Sequence, residues 1–244
     1  MPQTPPEDVR ILLFDVFGTV VDWRSSVARE VAPFLARHAP GVDPTGFAVA
    51  WRRRYQPAME AVRSGARPFT RLDILHRENL EGVLQESGLD PAAIDAAELD
   101  QLNKAWHRLD PWPDSVAGLA RLKQRFLIAP LSNGNIALML NLAKRAGLPW
   151  DAILGAEVAR AYKPSPAAYL NTAEILGLAP GQCMLVAAHN NDLAAARRAG
   201  FRTAFVPRPT EHGPGQKTDL APEQDWDAVA ESFPALADRL GCPG

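Results

Sequence analysis

Beyond residue 110 the chain alternates short apolar runs with amphipathic stretches, and no other feature restricts its fold so strongly. Apolar runs at 126–131, 153–154, 184–187 and 203–206 read as strands. Between and around them, helices are predicted at about 115–125, 136–146 (closed by Gly147), 166–176 and 192–199. A last helix is predicted over about 226–240. Strands alternating with helices imply a parallel sheet joined by right-handed crossovers. One further apolar strand, 11–14, stands near the start, before the alternation begins.

From residue 22 to residue 109 the pattern is helical throughout. Residues 25–38 are amphipathic, with Val27, Val31, Phe34 and Leu35 on one face, and Pro33 predicts a kink or break. Asp43-Pro44 is an N-cap followed by proline, opening a helix expected to run through Trp51 and Tyr55 to Ser64-Gly65. Thr70-x-x-Asp73 resembles a capping box for a helix ending near Gly88. Asp90-Pro91 repeats the start signal for a helix to about Leu109, and Asp110-Pro111-Trp112-Pro113 is a rigid connector. The expected organisation is an α/β core from 1–21 and 110–244, a Rossmann-like doubly wound parallel sheet. An all-helical cap domain, 22–109, is inserted at the tip of the first strand, where it can close over a site.

The 26 basic and 28 acidic residues leave a net charge of -2, which gives no electrostatic case for nucleic acid or an anionic membrane. Two cysteines, Cys183 and Cys242, are too few for a disulfide framework or a cysteine zinc site. The first residues have neither a basic nor an apolar leader region, and no apolar stretch approaches the roughly 20 residues of a membrane span. A soluble cytoplasmic protein is expected.

Asp15 stands at the carboxyl end of the first strand, with Gly18 and Thr19 after it. A carboxylate at the tip of a buried strand is costly unless something pairs with it or uses it. In open parallel sheets, ligands bind outside the carboxyl ends of the strands. Ser132-Asn133, Lys163 and Asp192 also end or follow strands, so a doubly wound sheet brings all four segments to one edge. Pro164 biases Lys163 toward extended backbone. A lysine beside Asp15 keeps the carboxylate ionised. Taken singly, Asp15 and Ser132-Asn133-Gly134 also read as turns, Lys163 as a surface lysine and Asp192 as a helix cap.

Four stretches carry a resemblance to the haloacid dehalogenase superfamily, and within it to the type II L-2-haloacid dehalogenases. They are Phe-Asp-Val-Phe-Gly-Thr-Val-Val-Asp at 14–22, Leu-Ser-Asn-Gly at 131–134, Tyr-Lys-Pro-Ser-Pro at 162–166 and Ala-His-Asn-Asn-Asp at 188–192. The resemblance implies a Rossmann-like core with a helical cap, Asp15 as nucleophile, and Thr19, Ser132, Lys163 and Asp192 as its companions, with Asp192 either activating the hydrolytic water or holding Lys163. It implies a halide-binding Arg52 in the pair Trp51-Arg52, a site tyrosine at Tyr169, and a homodimer. For the substrate carboxylate, the donors expected are Ser132, Lys163 and the backbone N–H groups of Val16 and Phe17, with Asn133 assisting at the halide.

Departures from the superfamily pattern select the chemistry. Phe17 replaces the second acid of the phosphatase branch, and Ala188 replaces its magnesium-binding acid, so no metal and no cofactor are expected. Ala187 and His189 stand where well-known dehalogenases have Ser and Asn. His189 is then a donor or a general base, and it is grouped with the adjacent Asn190 among the catalytic candidates. The expected reaction converts a short 2-haloalkanoic acid to the 2-hydroxy acid and halide through an aspartyl ester. Two alternatives are a phosphatase tolerant of Phe17 and a non-catalytic binding protein on this fold. The loop 207–215, with Glu211 and His212, receives no role.

Overall fold

The computed structural model describes residues 8–243. Among them, six strands form one parallel sheet: β1 (Ile11–Phe14), β4 (Leu127–Ser132), β5 (Leu154–Gly155), β6 (Cys183–Ala187), β7 (Arg202–Phe205) and β8 (Ala228–Val229). Their order is β5-β4-β1-β6-β7-β8. β1 pairs with β4 on one side and β6 on the other, with Ile11 opposite both Leu127 and Cys183. The chain therefore works outward to β5, returns across β1, and works outward again. That reversal leaves a crevice at the carboxyl end of β1, where ligands bind in such sheets.

The strands are apolar because both faces are covered. Leu12 and Phe14 join one buried cluster, Ile11 and Leu13 the other. The first cluster runs without interruption into the helical segment, through Phe17 to Trp51 and Trp106. Trp23, Trp51 and Trp106 are fully buried. Burying rings of this kind removes about 150–250 Å² each from water, so at ~25 cal/mol/Å² each contributes ~4–6 kcal/mol as an upper estimate.

The helical segment leaves and rejoins the sheet at a two-stranded antiparallel ribbon, β2 (Val21–Asp22) and β3 (Asp110–Pro111). All elements between the two are helical. Several expectations need correction here. The helix Trp23–His38 continues through Pro33 without a break. Its buried face of Val27, Val31, Phe34 and Leu35 holds it despite the lost hydrogen bond. The helix opened by Asp43 stops at Arg53, and a second runs Tyr55–Arg63. Pro57 has no N–H to give the Arg53 carbonyl, so the chain turns at Arg54. Asp90-Pro91 opens only a 3₁₀ turn, and Asp95 caps the helix Ala96–Asn103. Thr70 and Asp73 form no capping box; the helix Leu72–Glu86 has no side-chain cap on its preceding residue.

At the far end, the long helix over 226–240 is replaced by β8 and a short helix, Phe233–Arg239, capped by Ser232. Pro234 is tolerated only in a first turn, which fixes where the helix begins. Asp227 accepts from the Thr203 backbone N–H at 2.8 Å and from its hydroxyl at 2.9 Å, holding the preceding residues against β7.

Candidate active site

Asp15 follows β1 directly, and its N–H still reaches the Val186 carbonyl at 3.0 Å. The chain then turns sharply. Val16 accepts at its carbonyl from Val20 and Val21, and Gly18 has φ +89°. This turn presents the Asp15 carboxylate at the sheet edge, in a residue only 8% exposed. Its Oδ2 accepts from the Thr19 hydroxyl at 2.7 Å, and the Thr19 oxygen accepts from the Ala188 N–H at 2.9 Å. Its Oδ1 lies 2.9 Å from the Lys163 ammonium, which also donates to Asp192. Asp192 in turn accepts from the Tyr169 hydroxyl at 2.6 Å. Lys163 is held from its backbone: Asn133 accepts from its N–H at 2.8 Å and donates to its carbonyl at 3.4 Å.

His189 completes the cluster. Its Nδ1 is 3.0 Å from Asp15 Oδ2, and its Nε2 is 2.8 Å from Glu211 Oε2. The other Glu211 oxygen accepts from the Trp23 indole N–H at 2.9 Å. Glu211 is 1% exposed. It can come this close only because residue 18 has no side chain; a Cβ there would sit 2.1 Å from Glu211 Oε1. Gly18→Ala also forces an L-residue into left-handed backbone, at about 1–2 kcal/mol. The expected result is a variant destabilised by at least that much in urea denaturation and with severely reduced turnover. A variant as stable as the parent would mean that Glu211 is not packed against this turn.

The charges are mutually arranged. Burial alone raises the Asp15 pKa, but Lys163, the His189 hydrogen bond and charge, and the Thr19 hydroxyl outweigh it and hold the carboxyl well below the usual range. Burial opposes charge on Lys163 too, and Asp15 and Asp192 more than reverse it, so the ammonium is held more firmly than usual. For His189, burial is overcome by Glu211 and Asp15, which raise its pKa well above the ordinary value. At neutral pH it is an imidazolium between two carboxylates.

A cavity of about 340 Å³ opens over Asp15. Of the residues singled out from sequence, Asp15, Phe17, Arg52, Asn133, Lys163, His189 and Asp192 line it. Arg52 reaches it from the helical segment. Its guanidinium lies over Tyr55 at 3.9 Å, Trp23 at 5.4 Å and Phe17 at 5.7 Å. Its Nη1 is buried and has no hydrogen-bond partner among the described residues. An unpaired guanidinium nitrogen in an aromatic box is a site prepared for an anion.

Thr19 and Tyr169 stand behind the cavity and orient the carboxylates that line it, so Tyr169 does not reach a ligand directly. Val16 contributes backbone alone. Ser132 is 1% exposed and its hydroxyl accepts from the Gly134 N–H at 3.1 Å. Asn190 points elsewhere: its amide donates to Asp219 and Ala221 and accepts from Glu223 and Trp226, tying down the segment 219–226. Its placement with the catalytic residues is therefore corrected, because every bond its side chain makes is to that loop. Glu211 is the reverse case, a site residue that sequence reasoning passes over. It lies in a Pro/Gly-rich loop after β7, and its one signal is that such a loop leaves the carboxyl edge of the sheet.

The residues do not suit a magnesium ion. Phe17 and Ala188 offer no side-chain oxygen, and the Lys163 ammonium already stands between Asp15 and Asp192. Among the described residues, no group of three or more acidic, histidine or cysteine side chains is arranged to hold a metal.

Comparison with known proteins agrees with this geometry. The haloacid dehalogenase-like hydrolase family model matches residues 9–200. The (S)-2-haloacid dehalogenase of Xanthobacter autotrophicus is 31% identical over 205 residues, covering 82% of this chain and 76% of that protein. The structure of a defluorinating L-2-haloacid dehalogenase superposes with a TM-score of 0.95 at 56% identity, covering 98% of this chain and 99% of that one. That of an L-2-haloacid dehalogenase from Xanthobacter autotrophicus with chloropropionic acid covalently bound has a TM-score of 0.77 at 25% identity, over 94% and 97% of the two chains.

Proposed function

The chain belongs to the haloacid dehalogenase-like hydrolase family, and from that premise we propose that it hydrolyses short (S)-2-haloalkanoic acids to 2-hydroxy acids and halide. The observation that carries this reading is the buried Asp15 carboxylate, ionised by Lys163, which shares its cavity with an Arg52 nitrogen that has no partner among the described residues.

In the first step an Asp15 oxygen attacks C2 of the substrate. The carbon–halogen bond breaks with its electron pair on the halide, and an aspartyl ester remains. No proton donor is needed at the leaving group, which is why Phe17 suffices where a phosphatase has an acid. Arg52 receives the halide in its aromatic box. The third Lys163 proton and the backbone N–H groups of Val16 and Phe17 hold the substrate carboxylate.

In the second step water attacks the Asp15 carbonyl carbon. Esterification removes the Asp15 charge, so His189 loses one of the two carboxylates that keep it protonated. Its proton passes to solvent through the cavity. The neutral ring, with Nε2–H donated to Glu211, then turns its Nδ1 lone pair toward Asp15 and takes a proton from the water. The tetrahedral intermediate collapses, the alkoxide takes that proton from His189, and the Asp15 carboxylic acid so released passes its own proton to His189, which restores the carboxylate and the imidazolium. Tyr169 and Asp192 keep Lys163 in place throughout.

The residues 22–109 act as a cap that brings Arg52 over the core and excludes water. The relatives' names and the defluorinating neighbour support (S)-2-chloropropionate and fluoroacetate as the substrates to try first. We place the protein in the cytoplasm as a homodimer. Among the described residues, no helix is long and apolar enough to cross a membrane.

A single turnover in H₂¹⁸O is the direct test. Label is expected in Asp15 and not in the first equivalent of product; label appearing first in the product rules out the ester. Arg52→Ala is expected to lower kcat about 10²–10³-fold with an unchanged circular dichroism spectrum. Parental rates in that variant would remove Arg52 from the site.

A further inference from the structure

Asn135 follows the Ser132-Asn133-Gly134 turn and stands at the N-cap of the helix Ile136–Ala146, yet makes no capping bond to that helix. Its amide crosses instead to the helical segment. Oδ1 accepts from the Asp73 backbone N–H at 3.1 Å, and Nδ2 donates to Asp73 Oδ2 at 2.8 Å. The uncapped helix Leu72–Glu86 is thus capped by a residue 62 positions away. Asn135 is 1% exposed, so this pair is not a loose surface contact.

The rest of Asp73 is bound as well. Oδ1 is 2.9 Å from His107 Nε2, and its carbonyl accepts from the Asn103 amide at 2.9 Å. His107 Nδ1 lies 2.9 Å from the Asn141 amide nitrogen. With that nitrogen donating, Nδ1 is the acceptor and the ring proton sits on Nε2, toward Asp73; this tautomer is assigned from the network. Asn135 and Asn141 therefore grip the helical segment from one helix of the sheet domain.

The connection continues to the site. One turn beyond Asp73, the His76 carbonyl accepts from the Trp51 indole N–H at 3.0 Å. Trp51 directly precedes Arg52. The helix that Asn135 caps is thus the support on which Trp51 hangs, and Trp51 fixes the start of the Arg52 side chain.

We propose that Asn135 and Asp73 form a latch that positions Arg52 over Asp15, which makes both of them positioning residues for the halide step. The proposal rests on Arg52 as the halide-binding group.

The pair allows an exchange test. Asn135→Asp sets two carboxylates against each other, and Asp73→Asn sets two amides together with one donor left over. Making both substitutions restores every bond. The carboxylate now at position 135 accepts from the backbone N–H and from the side-chain amide of position 73, and the oxygen of that amide accepts from His107. Bromide affinity is the readout, followed by quenching of tryptophan fluorescence, since Arg52 lies over Trp23. It is paired with kcat and KM for halide release from (S)-2-chloropropionate. All are measured where circular dichroism shows each variant fully folded, so that a purely structural role leaves bromide affinity unmoved.

Each single variant is expected to weaken bromide binding about tenfold and to lower kcat by a similar factor. The exchange is expected to return both to within about threefold of the parent. Single variants with parental bromide affinity overturn the latch, as does an exchange variant no better than the weaker single. If the parent binds bromide but releases no halide from any haloacid, the catalytic reading fails and the latch is judged on binding alone. A parent that binds no bromide overturns the latch, while halide release from (S)-2-chloropropionate decides the catalytic reading separately.

Discussion

Lys163→Met is expected to stop turnover and to destabilise the fold at the same time. The residue is 6% exposed and its ammonium bonds two carboxylates, Asp15 and Asp192. Removing one partner from a buried ionic cluster leaves charge uncompensated, at ~3–5 kcal/mol. Asp15 escapes part of that penalty by taking up a proton, and a protonated Asp15 is no nucleophile. Halide release is therefore expected to fall ~10³-fold or more, read by ion chromatography, and the urea midpoint to fall with it. Adding Asp15→Asn removes one of the orphaned charges, so stability should recover in the double variant while activity does not. A Lys163→Met protein with parental stability would show that the three groups are not coupled.

His189→Ala is expected to separate the two chemical steps. Asp15, Lys163 and Arg52 remain, so the first step proceeds: one equivalent of halide appears in a burst, and then release stops. The ester persists because nothing takes the proton from the attacking water; steady-state turnover drops ~10²–10⁴-fold, the usual contribution of a positioned base. Mass spectrometry after reaction with 2-chloropropionate should find one propionate unit on the peptide bearing Asp15. Steady release without that adduct would show that His189 does not serve the second step.

The same residue sets part of the pH dependence. The depressed Asp15 pKa contributes stability that is complete above its unfolded value of about 4 and is lost as the pH falls. The raised His189 pKa contributes stability that is complete below its unfolded value of about 6.5 and is lost as the pH rises through the folded value. Stability is therefore expected to decline on both sides of a plateau between these limits. His189→Ala should flatten the decline that begins above pH 6.5, measured by urea denaturation across pH.

Local sequence signals reveal the sheet and the acid well, because both are written in adjacent residues. An apolar run that ends in Asp15, and a lysine stiffened by Pro164, need no knowledge of distant chain. Lys163 does face Asp15, as the strand-end argument anticipates. Signals fail where the partner is remote. Glu211 acts through His189 across 22 positions and through Trp23 across 188, and nothing near it hints at either. Asn190, read beside His189, turns to a loop 29 to 36 positions onward. Asp73 has the spacing of a local capping box, yet its bonds run to Asn135 and His107. Helix breaks mislead for a different reason. Pro33 sits in a strongly buried helix that survives it, whereas Pro57 follows a weakly buried turn where the chain yields.

The ribbon of Val21–Asp22 against Asp110–Pro111 has a consequence for how such chains diversify. Outgoing and returning backbone lie side by side, so whatever hangs between them closes on itself without stretching the sheet. Loop-closure entropy grows only slowly with length, so helical hoods of quite different size fit the same pair of attachment points. Grafting a hood from a relative at this seam should transplant its choice of leaving group while the hydrolytic base below stays untouched.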